Sequence, residues 1–578
     1  MAAEIRHMKW WGWGHEDVAF DDSNKPGLWP YLENELKIKE IEWTRSVAFE
    51  DIDLPEQTTN EAFLGTIRGA LDEGQIANDK RTRLIHAAGK SFRDLWLLRH
   101  GIVKHAPDCV VFPESEEDVA AIVRAADEHG AVLIPFGGGS NIAGCLEPRD
   151  HDGRMVVSLD MCRMHRVLEV DQHSLTARIQ PGVYGQHLED QLAEHGVTLG
   201  HFPDSFLHST LGGWVATRSA GMQSDIYGKI EDMVISLRMV TPSGTIVTRT
   251  VPKSSNGIDV RHLCIGSEGI LGVITEIVVQ VHRKPPREDW HGWLFPDFDS
   301  GVAAIHECQR QGCMPTVTRL NDPKKTALSF AFKQPKTGLK EIVAKALKWY
   351  IGSVKGIDFG RCCLMVVKYE GDRAAFRNMR RGVSAIYRKH RGVCLGPEPG
   401  RSFAEAKFDF PHLRDYVMDR NIMADVSETA TTWTNLLPLY EDSLAAIDRA
   451  ICNTGVASWV GCHISHSYPT GASLYFTFGC LQRAGREIDQ YLHIKKAAED
   501  AFMKNGGTLS HHHAVGTEHL PWVEEDVSPT GLKAVQAVKE GLDPRGIMNP
   551  GKIIPPADPL KAWGLSGEAL GQFTGSGQ

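Results

Sequence analysis

The sequence predicts an α+β protein of two or three domains, and three observations predict it. Strand-like apolar runs and amphipathic helical runs alternate irregularly, without the strict strand–helix–strand order of a doubly wound sheet. At 578 residues the chain exceeds what one ordinary core holds. Its 42% hydrophobic and 24% charged content is that of a soluble globular protein.

Residues 8–85 begin Met-Lys-Trp-Trp-Gly-Trp-Gly and continue polar and helical. Trp10, Trp11 and Trp13 suit either an arm docking on another surface or a local apolar plug. From Pro107 the texture changes. Residues 109–112 read as a short strand. Ser115 reads as a helix N-cap with Asp118 in capping-box position, and Val119, Ile122, Val123 and Ala126 form one helix face that stops at Gly130. Strands are expected at 132–134, 155–159, 167–170, 234–240 and 272–281, with a helix at 184–195. After Pro285-Pro286 a second unit carries a strand at 364–367 and helices near 299–311, 338–350, 434–452 and 487–505, the last stopping at Gly506-Gly507. The Gly- and Ser-rich tail after Leu560 is expected to fray.

A net charge of -10 argues against a nucleic-acid partner. No apolar run approaches a membrane span of about 18 residues, and the N-terminus lacks the apolar core of a signal peptide. The ending Ser576-Gly577-Gln578 is not a peroxisomal address of the Ser-Lys-Leu type. Twelve cysteines without a C-x-x-C pair suit a reducing compartment, and a cytoplasmic enzyme is expected.

The chemistry gathers in three small-residue loops. Pro135, Phe136, Gly137, Gly138, Gly139, Ser140 and Asn141 follow the strand at 132–134. Three glycines let successive N–H groups point at one anion, although a lone triplet is equally a plain turn. The block is neither G-x-G-x-x-G nor a P-loop. A second block runs through Pro203, Asp204, Ser205, Phe206, Leu207, His208 and Ser209, then Gly212-Gly213-Trp214, to Ala216, Thr217, Arg218 and Ser219. A third holds Glu268, Gly269, Ile270, Leu271, Gly272, Val273 and Ile274. Three such loops in one α+β unit can wrap a long ligand with diphosphate, ribose and ring portions.

The order PFGGGSN, PDS…STLGG, GSEGILG and Asn549-Pro550-Gly551-Lys552 resembles the vanillyl-alcohol-oxidase-type FAD-binding flavoproteins. Within them the chain is most similar to the alkyldihydroxyacetonephosphate synthase (alkylglycerone-phosphate synthase) family, over nearly its whole length. The most specific pieces are the segment 226–232, Arg319-Leu320-Asn321-Asp322 and Ser510-His511-His512-His513. The resemblance implies a two-subdomain, PCMH-type FAD-binding domain at 86–285, an α+β cap domain at 286–515, a helical segment at 1–85 and a C-terminal return at 516–578. It implies that all the residues of the three loops bind FAD, non-covalently, since the first loop holds no histidine. It further implies acyl-dihydroxyacetone phosphate and a long-chain fatty alcohol as substrates, exchange of acyl for alkyl through a flavin N5 adduct, and a homodimer. The alternative is an FAD-dependent oxidase or dehydrogenase of a hydroxy acid or alcohol.

For the site, the resemblance implies proton handling by Tyr475, His511, His512 and His513, a phosphate contact from Arg414, and a fixed charge near the flavin from Arg319. Unaided, Tyr475 reads as a strand residue, the His triplet as a solvated loop, Arg414 as a surface partner of Asp415, and Arg319 as a partner of Asp322. No metal is expected: relative to FAD-dependent 2-hydroxyacid dehydrogenases, His512 replaces a glutamate ligand and Tyr475 a histidine ligand. Leu207-His208 departs from the family's Glu-Phe, residues 549–552 follow the general oxidase pattern, and only Glu428-Thr429 survives of the alkyl-tunnel segment at 426–429. Residues 333–355 combine Lys333, Lys336, Lys340, Lys345, Lys348 and Lys355 with Ile342, Ala346, Trp349 and Tyr350 on one helical face. That pattern suits a peripheral contact with an anionic membrane or a core-facing helix with solvated lysines.

Overall fold

The structure, a computed structural model, describes residues 7–149, 151–333 and 338–564, with backbone alone at 339, 340, 343, 344 and 347. The first sheet orders its strands β1-β2-β4-β3. They are β1 (Ile76–Ala77), β2 (Cys109–Val111), β3 (Val132–Phe136) and β4 (Val156–Asp160). Strands β2 and β3 both run parallel to β4, and the crossover between them is the helix Glu116–His129. Ser115 Oγ accepts from the Asp118 N–H, as its spacing predicts, whereas the Asp118 carboxylate accepts from the Glu114 N–H and from Gln75. Gly130 ends the helix at φ 79°, which glycine adopts without a Cβ penalty.

The second sheet is antiparallel, β5 (Val167–Asp171), β6 (Thr176–Ile179), β8 (Val234–Thr241), β9 (Gly244–Val247) and β10 (Val273–Gln280), in the order β5-β6-β10-β8-β9. Beside it β7 (Val197–Thr198) pairs with β11 (His282–Arg283). The third sheet has seven antiparallel strands ordered β15-β12-β14-β13-β17-β18-β16. They are β12 (Glu288–Phe295), β13 (Val317–Asn321), β14 (Cys363–Glu370), β15 (Val393–Gly396), β16 (Ile422–Thr432), β17 (Trp459–Tyr468) and β18 (Gly471–Leu481). The helices Phe298–Arg310, Arg373–Lys389, Trp433–Asn453 and Glu487–Lys504 bury their apolar stripes in the largest core, which this sheet shares.

Two segments differ from expectation. Residues 8–85 are less helical than their polarity suggests: between the helices Leu28–Leu36, Glu61–Arg68 and Lys80–Ile85 lie irregular stretches and β1 itself. Residues 7–14 form an arm laid across both major units. His7 Nε2 meets Asp160 at the end of β4 at 2.5 Å, and the Trp13 N–H donates to Asp415 at 2.8 Å. Trp10 and Trp13 are buried along it. The expected fraying does not begin at Leu560. The helix Pro559–Trp563 buries Trp563 against Trp522; the rest of the segment expected to fray, 565–578, and residues 1–6 lie outside the described residues.

Candidate functional site

The first and second glycine blocks meet backbone to side chain. A Cβ on Gly137 would lie 2.4 Å from Thr210 Oγ1, and one on Gly138 only 1.9 Å from the His208 carbonyl oxygen. Gly139 has φ 69°, so this turn requires glycine. Thr210 caps the helix Leu211–Thr217, whose N-terminal Gly212 and Gly213 line the same cavity as Gly137, Gly138 and Gly139. Glycine N–H groups opposed to a helix N-terminus make a cradle for a diphosphate. From there one cavity continues past Ala216, Thr217, Ser219 and the third block to the face of the seven-stranded sheet. The residues present therefore fit a long dinucleotide.

Of the residues expected to bind FAD, Pro135 through Asn141, Pro203, Asp204, Ser205, Ser209, Glu268, Gly269, Gly272, Val273 and Ile274 line this cavity. Others do not. Phe206, Ile270 and Leu271 are buried in the core behind it, because their apolar side chains pack on Trp214 and its neighbours. Leu207 points to solvent. His208 faces the arm, against Trp13, His15 and His412, and burial pushes its imidazole down to about 3. Arg218 is a left-handed helix cap whose guanidinium donates to the Ile265 and His262 carbonyls. Glu268 lines the cavity, but its carboxylate is committed to the Val515 and Gly516 N–H groups at 2.7 Å each.

On the sheet, strand register builds the site. Asn321 on β13 opposes His463 on β17, His463 opposes Tyr475 on β18, and Tyr475 opposes Glu428 on β16. Directly opposed residues share a face, so these four form one row. A bulge between Ile464 and Ser467 inserts an extra residue in β17 and brings Ser465 and His466 both to the cavity. Asp225 braces that bulge, accepting from the Ser467 N–H at 2.9 Å and from its hydroxyl at 3.2 Å.

The His triplet is not a solvated loop. Glu428, 2% exposed, accepts from Ser510 Oγ at 2.8 Å and from the N–H groups of His511, His512 and His513 at 2.9–3.0 Å. Its carboxyl is held well below the ordinary carboxylate range: burial opposes ionisation, and the three imidazoles with their hydrogen bonds outweigh it. His512 Nδ1 lies 3.3 Å from Glu428 and 3.0 Å from His511 Nδ1, while His511 Nε2 is taken by Tyr468 Oη at 2.6 Å. Thus His512 and His513 line the cavity and His511 stands behind them. Burial drives His511 and His513 well below the ordinary imidazole value, so both are neutral bases near pH 7. Tyr475 stacks on His512 with ring centroids 5.9 Å apart and meets His513 edge-on at 5.4 Å. Burial first, then Asp204, raises its phenol above the ordinary tyrosine range.

Both arginines depart from their unaided readings. Arg414 pairs with Asp425 at 2.7 Å and donates to the Lys90 carbonyl at 2.8 Å, while Asp415 is occupied by Lys9 and the Trp13 N–H. Arg414 lines the cavity, and a guanidinium with five N–H donors retains several for an anion. Arg319 does not bond Asp322, which instead caps the helix Pro323–Ala331 and accepts from the Cys462 N–H. Its guanidinium lies 5.3 Å from the Phe403 ring and 5.6 Å from that of Phe410, where burial lowers its basicity.

Two site residues escape sequence reading, His466 and Lys325, and two more are met there in other roles: Glu428 as part of the tunnel segment and His463 as the counterpart of a hydroxyacid-dehydrogenase metal ligand. Lys325 Nζ sits 2.7 Å from His463 Nδ1 and 5.2 Å from the Tyr475 ring centre. The signal for His466 is its H-x-x-H spacing from His463 in a strand, a spacing that splits across faces unless a bulge intervenes. Among the described residues, His466, His511 and His512 place ligand nitrogens within 4.8 Å of one another, and Glu428, His512 and His513 do likewise. Either set could hold a cation. His463, the remaining counterpart of a hydroxyacid-dehydrogenase ligand, gives its Nδ1 to Lys325.

Comparison with known proteins places this geometry. The model of the FAD binding domain matches residues 107–250, and that of the FAD linked oxidases, C-terminal domain, matches residues 284–553. A curated alkyldihydroxyacetonephosphate synthase of Dictyostelium discoideum is 41% identical over 89% of this chain and 84% of its own length. Its counterpart in Trypanosoma brucei brucei is 36% identical, covering 95% of this chain and 93% of that protein. A solved alkyldihydroxyacetonephosphate synthase structure superposes with a TM-score of 0.83 at 37% identity, over 94% of this chain and 99% of that one.

Proposed function

This chain belongs to the alkyldihydroxyacetonephosphate synthase family of FAD flavoenzymes, and from that premise we propose that it exchanges the acyl chain of acyl-dihydroxyacetone phosphate for a fatty alcohol, with Tyr475, His512 and Arg414 touching the substrate. The observation that carries the assignment of roles is the position of Tyr475, between the Glu428-held imidazoles and the Lys325-bound His463. When bound, without a covalent link to the protein, FAD would supply an electron-accepting ring that can take up electron density from the reacting carbon and return it.

The protein's own part is to hold and move protons. His512 turns Nδ1 toward Glu428, which leaves Nε2 to take the proton beside the substrate carbonyl. Tyr475, its phenol protonated at neutral pH, donates a hydrogen bond to the departing carboxylate or to the incoming hydroxyl. Arg414 offers its remaining donors to the phosphate, held in aim by Asp425. The ester bond between substrate carbon and acyloxy oxygen breaks with its electron pair on oxygen. The alcohol oxygen forms the new bond, its proton leaves to a base, a proton returns from the His512 imidazole to the carbon, and the exchange is redox-neutral overall.

The acyl substrate resides in a bilayer, and no described helix is long and apolar enough to cross one. The helix Leu339–Trp349 exposes Ile342 at 64% and Trp349 at 65%, with Tyr350 also exposed and Lys345 and Lys348 alongside. A core-facing helix would bury those side chains. The exposed face supports contact with an anionic leaflet; Lys336 lies outside the described residues. A homodimer belongs to the same reading, and light scattering at two concentrations checks it.

The deciding experiment mixes purified holoenzyme anaerobically with palmitoyl-dihydroxyacetone phosphate and hexadecanol. Alkyl product and palmitate should appear one for one, with no lasting flavin reduction. Stoichiometric reduction by a 2-hydroxy acid, with electrons passed to a dye, would establish the oxidoreductase alternative instead.

A further inference from the structure

Lys325 is a buried lysine whose Nζ lacks a bonded carboxylate. Among the described residues no carboxylate oxygen comes within ion-pair distance of its Nζ, and its hydrogen-bond partner is His463 Nδ1 at 2.7 Å. The groups around it are mixed in sign: Arg319 and Asp322 from β13 and the following turn, Cys462 and His463 from β17, Tyr475 from β18, and Asp204 from the second glycine block. Asp322 spends its carboxylate on the Lys325 and Cys462 N–H groups, which fixes the helix start and so the lysine's position. Burial and the neighbouring Arg319 charge make the isolated ammonium costly and lower its basicity.

Beyond Lys325 the helix carries Ala327, Leu328 and Phe330, with Thr326 and Ser329 among them. Leu328 lies one turn on from Lys325, on the same side, and both line the cavity. Leu328 packs with the cluster of Leu36, Val417, Ile422 and Trp459, which line the cavity's apolar end together with Leu28 and Leu32. The helix thus sets Lys325 and, one turn on, Leu328 and Ser329 into the cavity, and the apolar end beyond them complements a long-chain anion whose head sits beside Tyr475.

We propose that Lys325, seated on His463, is the site that receives the fatty-acid carboxylate released when the acyl–oxygen bond to the substrate carbon breaks. The inference rests on the exchange reaction proposed above and names the destination of its leaving group. The electron pair of the broken bond departs on the carboxylate oxygen, and the Lys325 ammonium compensates that charge. No electron is gained or lost. Arg414, already sharing its charge with Asp425, remains the phosphate contact, so the two anions are received by different cations.

The test is calorimetric titration of the holoenzyme with dodecanoate, with 1-dodecanol and with dihydroxyacetone phosphate, using wild type, Lys325→Gln and Lys325→Arg. Lys325→Gln should weaken dodecanoate at least roughly tenfold, leave 1-dodecanol and dihydroxyacetone phosphate within about twofold, and Lys325→Arg should recover most of the loss. Equal losses for dodecanoate and dodecanol would mark Lys325 as structural and overturn the assignment. Selective loss of dihydroxyacetone phosphate would overturn it too, as a phosphate site. Wild-type enzyme that catalyses the exchange yet shows no preference for dodecanoate over dodecanol would refute the carboxylate site while leaving the synthase reading intact. Lys325-dependent dodecanoate binding without exchange activity would do the reverse, upholding the site and sinking the reaction.

Discussion

Tyr475 and its surroundings carry the sharpest expectations at the scale of single residues. Replacing it by Phe removes one hydroxyl from a packed stack, so FAD should stay bound while turnover falls on the order of 100-fold or more; alkyl-product formation and the flavin-to-protein ratio check both halves. Arg414→Ala should weaken the acyl substrate by about 2–3 kcal/mol, read as a rise in KM. It also strands Asp425, so the double variant Arg414→Ala/Asp425→Asn should regain stability without regaining affinity. Tyr475, Arg414 and the histidines are legible in the sequence because they sit in recognisable segments. Glu428, in its imidazole-binding role, and Lys325 are not. Their importance comes from strand register and from where a helix starts, and neither leaves a mark in a motif. Gly138 shows a subtler limit: its spacing points to phosphate, but the carbonyl of His208 alone already forbids a side chain there.

At the level of elements, most strands and helices are legible because hydrophobic period and capping agree. Ser115, Gly130 and the apolar stripe of Glu116–His129 all specify the same helix. The stretch 8–85 misleads because its polar helical texture conceals a short strand whose identity depends on pairing with β2. For the helix Leu339–Trp349, co-sedimentation with liposomes containing anionic lipid should retain the wild type at low salt and release it as salt rises. Trp349→Ala, or Lys345→Glu with Lys348→Glu, should lower retention without changing exchange on detergent-solubilised substrate. Wild-type protein that ignores such liposomes ends the idea.

The whole molecule is unusually rich in histidines kept neutral by burial. His201, His208, His463, His466, His511, His513 and His519 all have folded-state basicity below the ordinary imidazole value of 6.5. The unfolded chain therefore binds more protons below that value, and stability falls as pH drops through it. Each such group adds a slope of about 1.36 kcal/mol per pH unit once below 6.5 and above its own folded value. His7, raised by Asp160, opposes this, as do the buried carboxyls of Asp225 and Glu499, pushed up to about 8, and of Asp94 and Asp322, pushed up to about 6, but the lowered imidazoles outnumber them. Thermal melts should thus move downward between about pH 6.5 and about pH 5, and a rise there would contradict the balance of buried groups. The arm at 7–14 has a consequence in time. Its two anchors lie 153 and 402 residues away along the chain, so a ribosome releases the arm long before either surface exists. Closing the longer loop must await the helix Phe410–Met418. Trp10 and Trp11 can settle early against Ile52, Leu84 and Leu98, but during that interval Trp13 has no native resting place, which leaves one end of the arm an apolar handle for chaperones until the cap domain closes on it.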